Sequence, residues 1–326
     1  MAQFSNDNFT KFAIERGGKV VPLLIPLEGL GPSLTNPSIL TVGNRVIVNL
    51  RNTNYILYHS EKARYEHCWG PLSYIHPEND QHLRTTNVIC ELDGDLTIQG
   101  YKAVYTKQFD KDPKWEFVGL EDGRLVHWDD KLYLIGVRRD TRDNGEGRME
   151  LSELEKTSYR ELSRVRIPAP GDDSTYCEKN WMPILDKPYE FVKWSNPLEL
   201  VRYSLEDKTC KTIHRGQSFS GYNDWRGGSQ VIPLGDSYIA LVHEADLHPT
   251  ETKKKNGVYR HRFLVWDKDW NLVKISQKFS FLNTNIEFCC GMTYFDNHFL
   301  ITAGIQDNAA ILLKVPGDAL REFVYE

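Results

Sequence analysis

The chain has 326 residues, 40% of them hydrophobic, with 14 Phe, 16 Tyr and 8 Trp, enough apolar bulk for a sizeable core and too much for a disordered chain. Its net charge of −5 and pI near 6.1 argue against nucleic acid or an anionic membrane as an electrostatic partner. No stretch approaches the ~20 apolar residues of a membrane span, and MAQFSNDNFTKF lacks the apolar centre of a secretory signal, so a cytoplasmic location is expected.

Along the chain, a turn residue followed by a strongly β-prone run recurs as NRVIVNL from Asn44, DKLYLIGV from Asp130, DKPYEFVKW from Asp186, GDSYIALVHE from Gly235 and DNHFLITAGI from Asp296. Each run is rich in β-branched and aromatic residues, and the Asn, Asp or Gly ahead of it suits a hairpin turn. A short segment precedes each turn: TNPSIL, LEDGRLV, EKNWMPI, RGGSQVI and EFCCGM in order. The repeat unit is therefore motif, hairpin turn, strand. YILYHS, YKAVYT, LELVRYSL and HRFLVWD supply further strands between the units. Helical periodicity is hard to find, and only Glu150 to Glu161 predicts a helix. The long first gap, with HCWGPLSYIHPENDQHLRTTN, reads as an extended loop over one mouth of the fold.

Five units of roughly 50 residues, each with several strands, fit radial repetition, in which neighbouring blades cover one another's apolar faces. The expectation is an all-β chain: a five-bladed β-propeller with a central axial pocket, forming one domain over residues 1–326. The first ~25 residues are expected to pair with the last blade and close the ring. The competing architectures are a pair of β-sandwiches and a β-helix; the units are too long and uneven for the stacked coils of the latter.

Polar residues interrupt the motifs where a blade core wants apolar ones. They are Asn36, Arg51, Glu121, Asp122, Arg124, Lys179, Asn180, Arg226, His243, Glu244 and Glu287. Each has a bland reading, Asp122-Gly123 as a turn and Arg124 as an ion-pair partner among them. Their recurrence at equivalent places favours a shared site near the axis. Acids able to exchange a proton stand there among cations and amides able to hold an anion or hydroxyls. Trp181, Tyr222, Trp225 and Tyr259 lie in or beside the same motifs, and aromatic faces beside hydrogen-bonding groups suit a sugar ring. No phosphate-cradling glycine loop follows a strand, so no nucleotide cofactor is expected. His59, His67, His76 and His82 lack metal-ligand spacing, and no catalytic metal is expected either. The six cysteines (Cys68, Cys90, Cys177, Cys210, Cys289, Cys290) show no CxxC pattern and read as reduced thiols, the adjacent pair Cys289-Cys290 as packing. Lys253-Lys254-Lys255 reads as a solvated loop.

LEDGRLV resembles the Glu-Asp-Pro-Arg signature of family 130 of the glycoside hydrolases, five-bladed propellers acting on β-mannosides. TNPSIL followed by VNLRN is similar to that family's opening Asn-Pro motif and the arginine ending its first inner strand, and VHEAD extends the likeness along the chain. The β-mannosyltransferases of glycosyltransferase family 108 are related propellers, and IEFCCGM with LITAGIQDNAAILLKV is similar to propeller domains of glycosyltransferase proteins. The resemblance implies that Asp122 is the general acid, that Arg124 is the signature arginine, and that Asn36 and Arg51 touch the transferred sugar. It places Lys179 and His243, with Tyr259, where phosphorylases hold phosphate. Gly123 stands where the signature has proline, which loosens the backbone beside the acid.

The implied chemistry is single displacement at an anomeric carbon. Phosphate as acceptor gives a phosphorylase, a sugar hydroxyl a transferase, and water activated by Glu244 or Glu287 an inverting hydrolase. The substrate partner is then a sugar or glycan, with inorganic phosphate or a sugar-phosphate donor. Transfer is the favoured reading; a hydrolase and a non-catalytic sugar-binding propeller are the alternatives.

Overall fold

The computed structural model describes residues 8–59, 72–171, 175–220, 225–249 and 255–325. Cys68, His67, Tyr222, Lys253 and Lys254 lie outside them, as does the first part of the expected mouth loop. Helix α1 (Phe9–Glu15) starts at Asn8, whose side chain accepts a hydrogen bond from the Lys11 amide at 2.9 Å. Strand β1 (Lys19–Pro22) follows it.

Five sheets then succeed one another. Blade 1 holds β2 (Ser33–Val42) and β3 (Arg45–Thr53), a separate hairpin β4 (Ile56–His59) and β5 (Leu72–Ile75), then β6 (Leu83–Leu92), β7 (Ile98–Ala103) and the short β8 (Phe117–Val118). Blade 2 is β9 (Glu121–Trp128), β10 (Lys131–Arg138), β11 (Arg148–Leu154) and β12 (Glu161–Arg166). Blade 3 is β13 (Met182–Pro183), β14 (Glu190–Ser195), β15 (Leu198–Tyr203) and β16 (Cys210–Arg215). In blade 4, β17 (Trp225–Gly227) and β18 (Ile232–Leu234) both pair with β19 (Ser237–Pro249), followed by β20 (Lys255–Asp267) and β21 (Leu272–Ile275). Blade 5 is β22 (Glu287–Phe295), β23 (His298–Ile305) and β24 (Ala309–Pro316), and α2 (Gly317–Tyr325) ends the chain.

Strand β1 adds to β24 as the outer strand of blade 5, so the N-terminal segment closes the ring as the sequence predicts. The pairing covers an edge that would otherwise stay open. The turns follow the residues chosen for them. Asp129 and Asp130, and again Asp296 and Asn297, have positive φ at both central positions, the conformation of a tight hairpin whose twist matches its strands.

The core is five apolar layers, one between each pair of neighbouring blades. Leu300 and Leu312 meet Val48 and Val88 between blades 5 and 1; Ile47 and Ile89 meet Leu125 and Leu132 between 1 and 2; Trp128 and Tyr133 meet Trp181 and Phe191 between 2 and 3. Met182 and Leu200 meet Val242 and Trp266 between blades 3 and 4. Leu241 and Phe263 meet Cys289 and Ile301 between blades 4 and 5, where Phe9, Phe12 and Phe323 of the two helices join them. Each layer is built by the two-residue alternation of strands whose faces both meet a neighbour.

Two expectations change. Glu150 to Glu161 is not a helix but the end of β11, a turn and the start of β12. Met149 and Leu151 fill one inter-blade layer while Glu150 and Ser152 face the other, so buried charge on a strand imitates helical spacing. The described part of the expected mouth loop carries β5 and the start of β6. Cys289 and Cys290 are both fully buried, as the packing reading expects, because β22 is buried on both of its faces. Among the described residues no helix is long and apolar enough to cross a membrane.

Candidate active site

The inner strands carry the motif residues, and the same local device turns them toward the axis. In β2 the ladder to β3 skips between Thr35 and Ser38, leaving Asn36 unpaired with φ +40°. In β9 the ladder to β10 shifts beside Asp122, which has φ +50°. Asn180, just ahead of β13, has φ +60°. Asn and Asp tolerate this region better than most residues, and such bulges re-aim a side chain out of the ladder. Gly136 and Gly304 permit the close approach. A Cβ on Gly136 would overlap the Glu121 carbonyl, and one on Gly304 the Asn36 carboxamide.

Asn36 and Arg51 converge on Asp122. The Asn36 Nδ2 and the Arg51 Nη1 each donate to Asp122 Oδ1 at 2.8 Å, which leaves Oδ2 for a ligand. Arg51 also donates to the Tyr55 hydroxyl at 2.7 Å and Thr85 Oγ1 at 3.3 Å, and lies 3.4 Å from Glu121 Oε2. Its side chain is 7% exposed, against 16% for Glu121 and 17% for Asp122. Arg124 is buried, donates to the Gly228 and Asp122 carbonyls at 2.8 Å each, and has no partner for Nη2 among the described residues. The Cys290 thiol donates to the same Asp122 carbonyl at 3.4 Å. Next to them Gln230 ties the blades together: its Nε2 donates to the carbonyls of Ile39 at 2.8 Å and Leu125 at 2.9 Å, and its Oε1 accepts from the Met292 amide at 3.0 Å.

The charges divide the carboxyls. Burial pushes Asp122 upward, but Arg51 and the Asn36 hydrogen bond outweigh it, so its carboxyl lies below the ordinary range. Burial raises Glu121, with Arg51 pulling it only part of the way back and Asp122 repelling it. Asp307 rises for the same reason, under the opposing pulls of Arg51 and Asp122. His243 is buried, and burial with the charges of Arg226, Lys179 and Arg124 holds it neutral, far below its usual range. Its ring stacks on Tyr259 at 5.4 Å and meets the edge of Phe288 at 4.9 Å. Glu121 Oε1, Asn180 Oδ1, Arg124 Nη2 and His243 Nδ1 are buried with no partner among the described residues. Buried polar atoms are nearly always paired, so four such orphans among neighbouring motif residues mark a place for a polar ligand.

Of the residues singled out by sequence, Asn36, Arg51, Glu121, Asp122 and Arg124 form one contacting cluster. Lys179 is exposed, and its charge acts on Glu121, Asp122, Asp307 and His243. Arg226 on β17 sits in register with His243 on β19. Glu287 turns away instead. Its buried carboxylate accepts from the amides of Phe281, Leu282 (2.9 Å) and Thr284 (2.8 Å), anchoring that loop. Glu244 likewise faces between blades, bonded to Trp225 Nε1 at 2.9 Å and Arg262 Nε at 2.5 Å. Trp181 and Trp225 are 1% exposed core residues, so neither offers a face to a sugar.

Asp307 is the residue the motifs missed. It lies just past β23, as Arg51 lies near the end of β3. In every blade a polar residue comes at or just after the end of the apolar run of the second strand: Arg51, Arg138, Lys193, His243 and Asp307. Comparing the ends of the five hairpin runs would have found it.

No protein-family model and no curated protein sequence matches the chain. Solved structures do. A β-1,2-mannobiose phosphorylase from Listeria innocua, in complex with β-1,2-mannobiose, is 14% identical, with TM-score 0.56 over 93% of this chain and 96% of that one. A glycosyl hydrolase from Bacteroides ovatus is 12% identical, with TM-score 0.57 over 88% and 85%. A mannose phosphorylase from Leishmania mexicana, in complex with phosphate ion, is 11% identical, with TM-score 0.52 over 98% and 95%. The chain has the five-bladed β-propeller fold of these glycoside phosphorylases and hydrolases.

Proposed function

We propose that the cluster around Asp122 transfers a mannosyl-type residue by inverting single displacement, as a glycoside phosphorylase does. The observation that carries this reading is the pairing of opposites in one place. A carboxylate clamped on one oxygen by Arg51 and Asn36 lies under the charges of Arg124 and Lys179, and the same two charges, with that of Arg226, act on a neutral His243. Such a site can serve a leaving oxygen and an attacking anion together.

A phosphate oxygen attacks the anomeric carbon as the bond to the leaving sugar oxygen breaks. That oxygen takes its proton from Asp122, directly or through a sugar hydroxyl. Asp122 is ionised in the resting site, so it must first take up the proton it donates, and it does so when the arriving phosphate, itself anionic, raises the carboxyls near it. Glu121 and Asp307, already above the ordinary range and sharing Arg51 with Asp122, hold protons most readily. Asn36 and Arg51 orient Asp122 and meet the transferred sugar. Lys179, Arg226 and His243, with Tyr259 behind the imidazole, meet the phosphate; Asn180 offers a carboxamide oxygen to a hydroxyl.

Hydrolysis is disfavoured because the two carboxylates considered for activating water, Glu244 and Glu287, are bonded elsewhere. A sugar hydroxyl as acceptor would use the same acid. Incubating the protein with α-mannose 1-phosphate and mannose separates these outcomes: phosphate release with formation of a β-mannoside supports the proposal. Absence of turnover with any sugar-phosphate or nucleotide-linked donor would sink it.

A further inference from the structure

Lys193, the polar residue near the end of β14, is a buried charge that the chemistry above does not use, with only 1% of its side chain exposed. The ladder from β14 to β15 shifts between Val192 and Trp194, so Lys193 sits at a bulge, and its side chain goes into the interior. Its Nζ lies 3.6 Å from Glu178 Oε1 and 3.6 Å from Glu199 Oε2. Glu199 is held in turn by the Thr212 hydroxyl at 2.7 Å and Arg215 at 3.3 Å. Desolvation offsets most of the attraction in a buried ion group, so stability alone does not account for this one.

Glu178 links Lys193 to the axial cluster. Its buried carboxylate accepts at both oxygens, Oε1 from the Thr175 amide at 2.9 Å and the Thr175 hydroxyl at 3.3 Å, Oε2 from Trp181 Nε1 at 3.1 Å. The bond between Glu178 and Trp181 closes a short loop whose two tip residues are Lys179 and Asn180. The Glu178 amide donates to the Gly147 carbonyl at 3.0 Å and pins the loop to blade 2. On the other side Gly227 packs so closely that a Cβ there would overlap the Asn180 carbonyl. Asn180 is thereby held at φ +60°, and Lys179 stands where its charge acts on Glu121, Asp122, Asp307 and His243.

We propose that Lys193 is a positioning residue, which balances the buried carboxylate of Glu178 and through it fixes where Lys179 and Asn180 present their polar groups. The inference rests on the reading of Lys179 as a phosphate contact and adds the device that sets its place. Without Lys193, Glu178 loses its ion-pair partner in the interior. Taking a proton or turning toward water relieves the uncompensated charge, and either weakens the bonds to Thr175 and Trp181 that shape the loop.

The test is a double-mutant cycle in the full chain, with Lys193→Met and Lys179→Met made singly and together. Calorimetric titration with inorganic phosphate reads each protein, and thermal unfolding shows which of them fold. The expected result is phosphate affinity lowered about tenfold or more by each single substitution, with the double variant within about threefold of Lys179→Met alone. If Lys179→Met loses affinity while Lys193→Met keeps it, or if the two losses add in the double variant, the phosphate contact stands and the positioning role is overturned. If the parent binds no phosphate, or Lys179→Met binds it as the parent does, the phosphate reading of Lys179 fails and the positioning role with it. Should Lys193→Met not fold, Glu178→Gln takes its place in the cycle with the same expectation. Failure of that variant to fold as well would show that the pair serves the fold, and the proposal falls.

Discussion

Arg51 is the shared counter-ion of three carboxyls, and replacing it with Gln measures how the cluster is held together. The guanidinium donates to Asp122 at 2.8 Å and lies 3.4 Å from Glu121, with only 7% of its side chain exposed. At an effective dielectric constant of about 20 the two contacts are worth roughly 6 and 5 kcal/mol of gross Coulomb attraction, most of it offset by desolvation. Removing one partner of a buried pair costs about 3–5 kcal/mol, and because Asp122 can escape by taking a proton, we expect about 3 kcal/mol near pH 7.5.

The pH dependence carries the sharper test. In the parent, the depressed pKa of Asp122 contributes stability that is present above its unfolded value and lost as pH falls through the folded one. In Arg51→Gln the Asp122 pKa rises above its unfolded value, so the folded variant binds an extra proton as pH falls. Its deficit then shrinks by up to about 1.4 kcal/mol per pH unit, to about 1 kcal/mol or less near pH 5. Urea unfolding of both proteins at the two pH values reads the difference directly. A deficit that is flat with pH, or below about 1 kcal/mol near pH 7.5, would refute the claim that Arg51 holds Asp122 ionised.

Other substitutions probe the same site. Glu121→Gln removes a carboxyl whose charge the fold disfavours, so it stabilises the protein by about 1 kcal/mol at neutral pH, less as pH falls and Glu121 protonates, and it lowers activity; chemical denaturation and turnover check the two signs. Asp122→Asn lowers kcat by about 10²–10⁴-fold with little change in KM, measured on the donor that the parent turns over. Gly304→Ala drives a methyl group into the Asn36 carboxamide, at a cost of about 1–3 kcal/mol in thermal unfolding, and reduces activity through Asn36 rather than through Asp122 itself. Deleting residues 1–22 strips β1 from β24 and bares a sheet edge, so the product should aggregate on size-exclusion chromatography while the full chain does not.

The frame was legible in the sequence because its signals are local. The dipeptides at Asp129-Asp130 and Asp296-Asn297 are turn formers wherever they occur, and the runs after them are too β-prone for anything but strands. The cluster was legible for a related reason. Asn36 and Asp122 are residues that accept positive φ, so the sequence already marks where the inner strands bulge. What the sequence hid depends on which face a side chain takes. Trp181 and Trp225 sit next to site residues along the chain yet point into the core, and Glu244 and His243 are neighbours that face opposite ways. Glu150 and Ser152 line a cavity between blades 1 and 2, so a strand with charge on a buried face imitated a helix. Asp307 sits beyond the last apolar residue of its run, where no motif pointed but the blade repeat does.

The most direct measurement is phosphorus NMR of the protein with β-1,2-mannobiose and inorganic phosphate, run in parallel on the parent and on Asp122→Asn. The parent should form α-mannose 1-phosphate, the inverted product, and Asp122→Asn should form it at least a hundredfold more slowly. Formation of the β anomer, equal rates in the two proteins, or no product from the parent would contradict the assignment of Asp122 as the acid of an inverting phosphorylase.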